Sequence, residues 1–255
     1  MPLEVSPVLI LKSTKINVNR RLALSIEIVR TCCEGIKMIQ LRSYQHDLKV
    51  QILQAWRDGY KNVLARSPTG SGKTVLFSDL SVFLSTQTEP VCIAVHRKEL
   101  VSQISLTLCS FGIYHNIIAS KPTIRGIISE QRKDFGKQWY SYKADVTVVS
   151  VDTLNSRIDN HRTWANSIKV WIIDEAAHVL KTNKWGKLTD HFPNARGLGV
   201  TATPQRLDRA GLGSHAKGVF DVMVHGPEVK WLIEEGYLCD YKLGFPKSDY
   251  EAHLR

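Results

Sequence analysis

Asn62-Val63-Leu64-Ala65-Arg66-Ser67-Pro68-Thr69-Gly70-Ser71-Gly72-Lys73-Thr74-Val75-Leu76 is the stretch that decides the fold. Asn62 to Ala65 is a short apolar run with the length of a buried strand. The next residues are small, polar and glycine-rich. From Lys73 onward Leu76, Leu80 and Phe83 or Leu84 recur at helical spacing, so a helix begins there. Glycines between a strand and a helix let the backbone turn tightly, with successive N–H groups facing inward. Such a loop cradles phosphate oxygens, and the helix amino end adds its positive dipole. Lys73 has the reach for a β- or γ-phosphate, and the Thr74 hydroxyl suits Mg²⁺. Pro68, Thr69, Gly70, Ser71 and Gly72 complete the cradle. Ser67 stands where this pattern usually has its first glycine.

The same grammar repeats on both sides. Tyr44 to Trp56 reads as a helix with Leu48, Ile52 and Ala55 on one face. Val91 to Val95 is a buried-type strand. Lys98 to Phe111 is a helix carrying Leu100, Ile104, Leu108 and Phe111 at helical spacing. Ile117 to Ala119 reads as a further strand. Residues 121–143 are polar and Lys-rich and read as a loop plus a helix. Val146 to Val151, Val170 to Ile173 and Leu198 to Thr201 are strands. Strands alternating with helices of this length predict an α/β fold with a mostly parallel sheet and helices on both faces, a three-layer sandwich.

Composition is consistent with that class. The 255 residues suffice for one large domain or two small ones, and 43% of them are hydrophobic. No apolar run approaches the roughly 18 residues of a membrane span. The 34 Lys and Arg against 24 Asp and Glu leave a net charge of +10. Excess positive charge suits a polyanion partner, since Lys and Arg release counterions from phosphates. The alternative is an ordinary solvated basic surface. The five cysteines include no CxxC pair. No disulfide or zinc site is expected, and reduced thiols place the chain in a cytosol. Residues 1–37 carry six Lys or Arg against three Glu and no clear period. They are expected to be a loosely attached extension, or translation begins at Met38. An intact-mass measurement that includes Met1 or Pro2 would exclude the internal start.

A second site element is Val170-Trp171-Ile172-Ile173-Asp174-Glu175, an apolar strand ending in two carboxylates. In a parallel sheet it delivers both to the carboxyl edge, beside the phosphate loop. Asp174 is placed to hold Mg²⁺, through water, and Glu175 to orient and deprotonate an attacking water. The alternative is that Asp-Glu merely caps a helix.

The order of motifs resembles the first RecA-like domain of a superfamily-two DEAD/DEAH-type helicase, a P-loop NTPase. The nearest likeness is to type III restriction subunits and RadD-like DNA helicases. The likeness covers residues 39–245 and rests on five further segments beside the Walker A loop. These are Leu41-Arg42-Ser43-Tyr44-Gln45, Ala94-Val95-His96-Arg97-Lys98-Glu99-Leu100, Ser150-Val151-Asp152-Thr153-Leu154, Asp174-Glu175-Ala176 and Thr201-Ala202-Thr203-Pro204. The resemblance implies that Gln45 bonds the adenine edge with Arg42 beside it. It implies that Arg97, Lys98 and Thr153 lie along a nucleic-acid backbone, and that Thr201 and Thr203 couple nucleotide state to grip. The plainer readings are an exposed helical Gln45, a solvated helix start at Arg97 and Lys98, an N-cap at Thr153 and a simple turn at Thr201–Pro204.

The implied activity is ATP- and Mg²⁺-dependent helicase or translocase action, on DNA in preference to RNA. Two departures qualify it. Ala177 stands where the family has a motif II histidine, and His178 follows one place later. The second RecA-like domain, with its arginine fingers, has no counterpart after the linker-like 246–255. A second domain or chain is therefore the expected partner, and a non-motor ATP-responsive DNA-binding or adaptor module is the alternative. Within 205–236, Arg206, Arg209 and Lys217 flank Gly211-Leu212-Gly213-Ser214 and suggest a DNA-facing loop or a solvated connection. Val229, Leu232 and Ile233 are expected in the core. Trp185 and Trp231 are expected to pack rather than stack on bases.

Overall fold

The computed structural model describes residues 39–204, 212, 213 and 218–240. The expectations for residues 1–38, Arg206, Arg209, Lys217 and 246–255 lie outside the described residues. The elements run α1 (Ser43–Arg57), β1 (Asn62–Arg66), α2 (Lys73–Thr86), β2 (Val91–Val95), α3 (Lys98–Ser110), β3 (His115–Ile118) and α4 (Lys121–Phe135). Then come β4 (Val146–Ser150), α5 (Val151–Arg157), a 3-10 turn (Ile158–His161), α6 (Arg162–Ser167), β5 (Val170–Asp174), a second 3-10 turn (Ala176–His178) and α7 (Lys184–Asp190). The last are β6 (Arg196–Thr201), β7 (Val222–His225) and α8 (Val229–Glu234).

The seven strands form one sheet in the order β3-β4-β2-β5-β6-β1-β7. Every pairing is parallel. Parallel strands need helical crossovers, and those crossovers cover both faces. Alternate residues of each strand therefore feed two apolar layers. Val63, Ala65, Val91, Ile93, Val95, Val170, Ile172, Leu198 and Val200 pack with α1 to α4 on one side. Leu64, Cys92, Ala94, Trp171 and Ile173 pack with α5, α6 and α7 on the other. Gly197 and Gly199 of β6 lie on this second side. A Cβ on Gly197 would enter the Trp171 ring and one on Gly199 the Phe220 ring, so both stay small to admit large neighbours.

Three expectations are corrected here. The third strand begins at His115 rather than Ile117, because its start is bonded to Trp139 and Ser141 of the following connection. The strand β7 was not foreseen; it is short, only half-buried and at the sheet margin, so its apolar signal is weak. The helix expected within 121–143 occupies the start of that stretch, with Ser120 as its N-cap. Two lesser shifts concern the core. Phe77 is wholly buried while Phe83 is only partly so, and of the α8 residues only Leu232 is buried, with Val229 exposed.

The buried polar group that ties this side of the sheet together is His115. Its Nδ1–H donates to the Ile113 carbonyl at 3.0 Å, and Nε2 accepts from the Ser105 hydroxyl at 2.7 Å. Gln131 donates to Ser105 Oγ at 2.9 Å and accepts from Trp139 N and Tyr140 N. α3, β3, α4 and the following connection are thus joined through one neutral imidazole. Burial pushes its pKa down to about 4, with the Ile113 carbonyl partly opposing. The unfolded chain takes up this proton first as pH falls, so stability is complete above about pH 6.5 and drains as pH falls toward 4. We expect His115 to account for roughly 2 kcal/mol of lost unfolding free energy between pH 7 and pH 5. Urea titrations at both pH values should show a steeper loss for the wild type than for His115→Asn.

Candidate nucleotide site and nucleic-acid face

β1 delivers the chain into the glycine-rich loop at the carboxyl edge of the sheet. Ser67 N donates to the Thr201 carbonyl at 2.9 Å, so the loop starts bonded to the end of β6. Ser67 is buried, and its hydroxyl lies 2.7 Å from that of Ser71, which donates to the Pro68 carbonyl at 2.6 Å. A serine therefore fits the first loop position because its hydroxyl is used inside the loop. Gly70 and Gly72 both have φ near +80°, the left-handed region that side chains disfavour. A Cβ on Gly70 would also come within 2.8 Å of Leu238. Gly72 is the N-cap of α2, so Lys73 and Thr74 occupy its first turn with their N–H groups free of intrahelical partners. Lys73 Nζ bonds the Pro68 carbonyl at 3.3 Å, folded back over the loop. Pro68 is half-buried and Thr69 exposed at the tip.

Asp174 ends β5, level with Val200 of β6. It is 9% exposed, and its carboxylate accepts from Glu175 N at 3.0 Å. Burial raises its pKa, Glu175 N–H lowers it, the Glu175 charge raises it and the Lys73 charge lowers it. The carboxylate thus lies within the field of Lys73 and, among the described residues, accepts a hydrogen bond from Glu175 N alone, as suits a cation ligand. Glu175 has φ of 55°, a left-handed conformation that costs a non-glycine residue about 1 kcal/mol or more. It is exposed, at the start of a 3-10 turn rather than on a capped helix. Ala177 is half-buried and His178 exposed.

Gln45 is not the exposed helical residue of the plainer reading. It is buried, and its amide is engaged on both sides. Nε2 donates to the carbonyls of Ser71 at 2.9 Å and Gly72 at 3.2 Å, while Oε1 accepts from Arg42 N at 2.9 Å. Tyr44, which sequence reasoning left unassigned, donates to the Ser71 carbonyl at 2.9 Å. Arg42 reaches Tyr44 Oη at 3.2 Å and lies 5.0 Å over the Tyr237 ring. Tyr44 meets Trp231 and Tyr237 edge-to-face, and those two rings lie tilted to each other, in one cluster beside the loop. Its signal in sequence was only the adjacency of Tyr44 to Gln45. Trp231 remains 38% exposed, whereas Trp185 is buried.

Arg97, Lys98 and Thr153 lie on the same sheet edge, past β2 and β4. Arg97 is the N-cap of α3 and is exposed, as is Lys98. Thr153 is inside α5, whose N-cap is Ser150, which removes the N-cap reading of Thr153. Thr201 is buried, and its hydroxyl donates to the Thr203 carbonyl at 3.1 Å and accepts from Thr203 N at 3.2 Å. This closes a local turn. Among the described residues no side-chain hydrogen bond joins it to Asp174–His178.

The family model for "Type III restriction enzyme, res subunit" matches residues 38–206, well over half of the chain. The chain belongs to that family. It is 30% identical over 242 residues to the Saccharomyces cerevisiae protein named "Putative ATP-dependent helicase IRC3"; the match covers 90% of this chain and 32% of IRC3. Among solved structures, the nuclease-deletion mutant of the Type ISP restriction-modification enzyme LlaGI, in complex with a DNA substrate mimic, aligns with TM-score 0.58 and 14% identity. That alignment covers 78% of this chain and 21% of LlaGI. The UvsW helicase of bacteriophage T4 aligns with TM-score 0.56 and 16% identity, over 75% of this chain and 62% of UvsW. This family member therefore has the RecA-like fold of these proteins and spans about a third of the length of the curated relatives it matches. No helix among the described residues is long and apolar enough to cross a membrane.

Replacing Gln45 by alanine should lower the unfolding free energy by about 1–3 kcal/mol without any nucleotide present, because buried loop carbonyls lose their donor. Urea unfolding of Gln45→Ala checks this; an unchanged midpoint would mean that the bonds to the loop contribute nothing.

Proposed function

We propose that the chain is the ATP-binding motor domain of an ATP-dependent DNA helicase or translocase. The observation that carries this is the convergence of the phosphate loop and the Asp174-Glu175 pair at one sheet edge, with Lys73 close enough to influence the Asp174 carboxylate. Backbone N–H groups of residues 70–74 would bind the β- and γ-phosphates of ATP. Lys73, released from Pro68, would neutralise charge there. Thr74 and Asp174 have the oxygen donors for Mg²⁺, which when bound supplies charge neutralisation on the phosphates. Glu175 would orient the attacking water in line with the leaving oxygen and accept its proton as the water oxygen bonds to the γ-phosphorus and the bond to the β–γ bridging oxygen breaks, releasing ADP and phosphate. The Gln45 and Arg42 roles toward adenine require the Gln45 amide to leave the loop carbonyls or to share them.

The nucleic-acid backbone would run past Arg97, Lys98 and Thr153, with Thr201 and Thr203 responding to the nucleotide. Such contacts position phosphates and read no bases. The match to a type III restriction subunit family and the likeness to LlaGI, whose structure holds a DNA substrate mimic, support DNA rather than RNA. The domain is read as residues 39–245, preceded by an extension over 1–38 and followed by a linker over 246–255. The greater length of the relatives supports a second RecA-like domain, in the same or another chain, as the source of arginine fingers. Those contribute on the order of 10³–10⁵ in rate in related phosphoryl-transfer sites. Ala177 at the motif II histidine position favours a second reading, an ATP-responsive DNA-binding module that grips without stepping.

The 255-residue chain should bind ATP with Mg²⁺ and turn it over slowly. Binding should persist in Glu175→Gln and be lost in Lys73→Ala. Residual turnover in Glu175→Gln should fall by roughly 10²–10⁴. Equilibrium binding of a fluorescent ATP analogue and a phosphate-release assay measure both; a Lys73→Ala protein that binds as the wild type does would overturn the assignment.

A further inference from the structure

Lys184 was not singled out by any motif. It opens α7, and its ammonium lies between the two basic and hydroxyl-bearing stretches at the nucleic-acid half of the edge. Lys184 Nζ donates to both carboxylate oxygens of Asp152 at 2.9 and 3.2 Å, and to His96 Nδ1 at 3.3 Å. Asp152 immediately precedes Thr153, and His96 immediately precedes Arg97. The cluster therefore joins the ends of β2 and β4, with the partners still solvent-accessible: the Lys184 side chain is 40% exposed and that of Asp152 60%. His96 stacks obliquely beside buried Trp185, its ring 6.1 Å away.

The position of Lys184 is fixed from behind. The Asn155 amide donates to the Lys184 carbonyl at 2.9 Å. The Asn183 side chain accepts from Trp185 N and Gly186 N, capping α7, and its amide donates to the His178 carbonyl at 2.6 Å. Asn183, the residue before this lysine, is thus bonded to the end of the 3-10 turn that follows Asp174 and Glu175. A surface ion pair of this exposure contributes little to stability, about 0–1 kcal/mol. The bond from Asn155 to the Lys184 carbonyl and the Asn183 cap on the next two amides hold the backbone around Lys184, and its ammonium stays beside Asp152 and His96.

We propose that Lys184 is a phosphate-backbone contact for the bound nucleic acid, and that Asp152 masks it until a phosphodiester displaces the carboxylate. His96, accepting at Nδ1, presents its Nε2–H as a second donor at the same place. The inference rests on the reading of Arg97, Lys98 and Thr153 as the nucleic-acid path. It adds a contact from the segment that follows the acidic pair, a segment bonded directly to the nucleotide side.

The test is the affinity of the full chain for a fluorescein-labelled oligo-dT across 50–300 mM KCl, for wild type, Lys184→Ala, Asp152→Asn and the Arg97→Ala/Lys98→Ala double variant. Losing one phosphate contact should lower the salt slope by about 0.7 and weaken binding about five-fold at 0.1 M salt. Lys184→Ala should show both changes, and Lys184→Arg should restore them. Asp152→Asn should instead tighten binding. A double variant that loses affinity while Lys184→Ala keeps the wild-type slope would overturn the proposal and leave the path intact. Asp152→Asn binding as weakly as Lys184→Ala would overturn the masking, showing that the carboxylate only holds the lysine in place. A wild type that does not bind, or binds no more tightly than the double variant, would overturn the path itself and the proposal with it.

Discussion

The parallel pairing of β1 with β6, and of β6 with β5, is the constraint on which the site depends. In a parallel ladder all strands point one way, so every strand exit falls on one edge. The Ser67 amide continues the β1–β6 ladder by bonding the Thr201 carbonyl, which fixes where the phosphate loop begins. Asp174 lies level with Val200 one strand further on. The loop and the acidic pair are therefore separated by one strand, whatever their side chains do. The two small residues Gly197 and Gly199 keep that middle strand close to the bulky Trp171 and Phe220 packed on its far face. Substituting either would displace β6, and with it the separation that lets Lys73 and Asp174 share one field.

The carboxyl edge divides into two halves along the sheet order. The half that carries the glycine-rich loop and Asp174 lies over β1, β6 and β5, and the half that carries Arg97, Lys98, Thr153 and Lys184 lies over β5, β2 and β4. β5 and the turn after it belong to both. Glu175 leaves β5 in a left-handed conformation, the 3-10 turn follows, and Asn183 reaches back to its last carbonyl. The Asn183 side chain thus joins α7 to the turn after β5 even though Ala177 contributes no polar side chain.

Much of this was legible in sequence because its physics is local. The strand–loop–helix at 62–86 combines a short apolar run, glycines and a 3.6-residue period, and each signal is strong on its own. The β-branched runs at 91–95, 146–150 and 170–173 are buried on both faces and so read as continuous apolar stretches. The margins were harder. β7 is half-buried, and the start of β3 depends on bonds to residues more than twenty positions away. Gln45 was assigned by resemblance, but its bonds to Ser71 and Gly72 cross 26 and 27 residues and have no local signature. Lys184 is likewise an ordinary lysine until the fold brings Asp152 and His96 beside it.

Two separate ligand regions on one edge, joined through β5, would leave two footprints in hydrogen–deuterium exchange of the full chain, measured with a non-hydrolysable ATP analogue and Mg²⁺ and separately with single-stranded DNA. Nucleotide is expected to protect residues 67–74 and 174–175, and DNA residues 96–98, 152–155 and 183–185. Protection by either ligand at the opposite, amino-terminal edge of the sheet, or the same footprint for both, would contradict it.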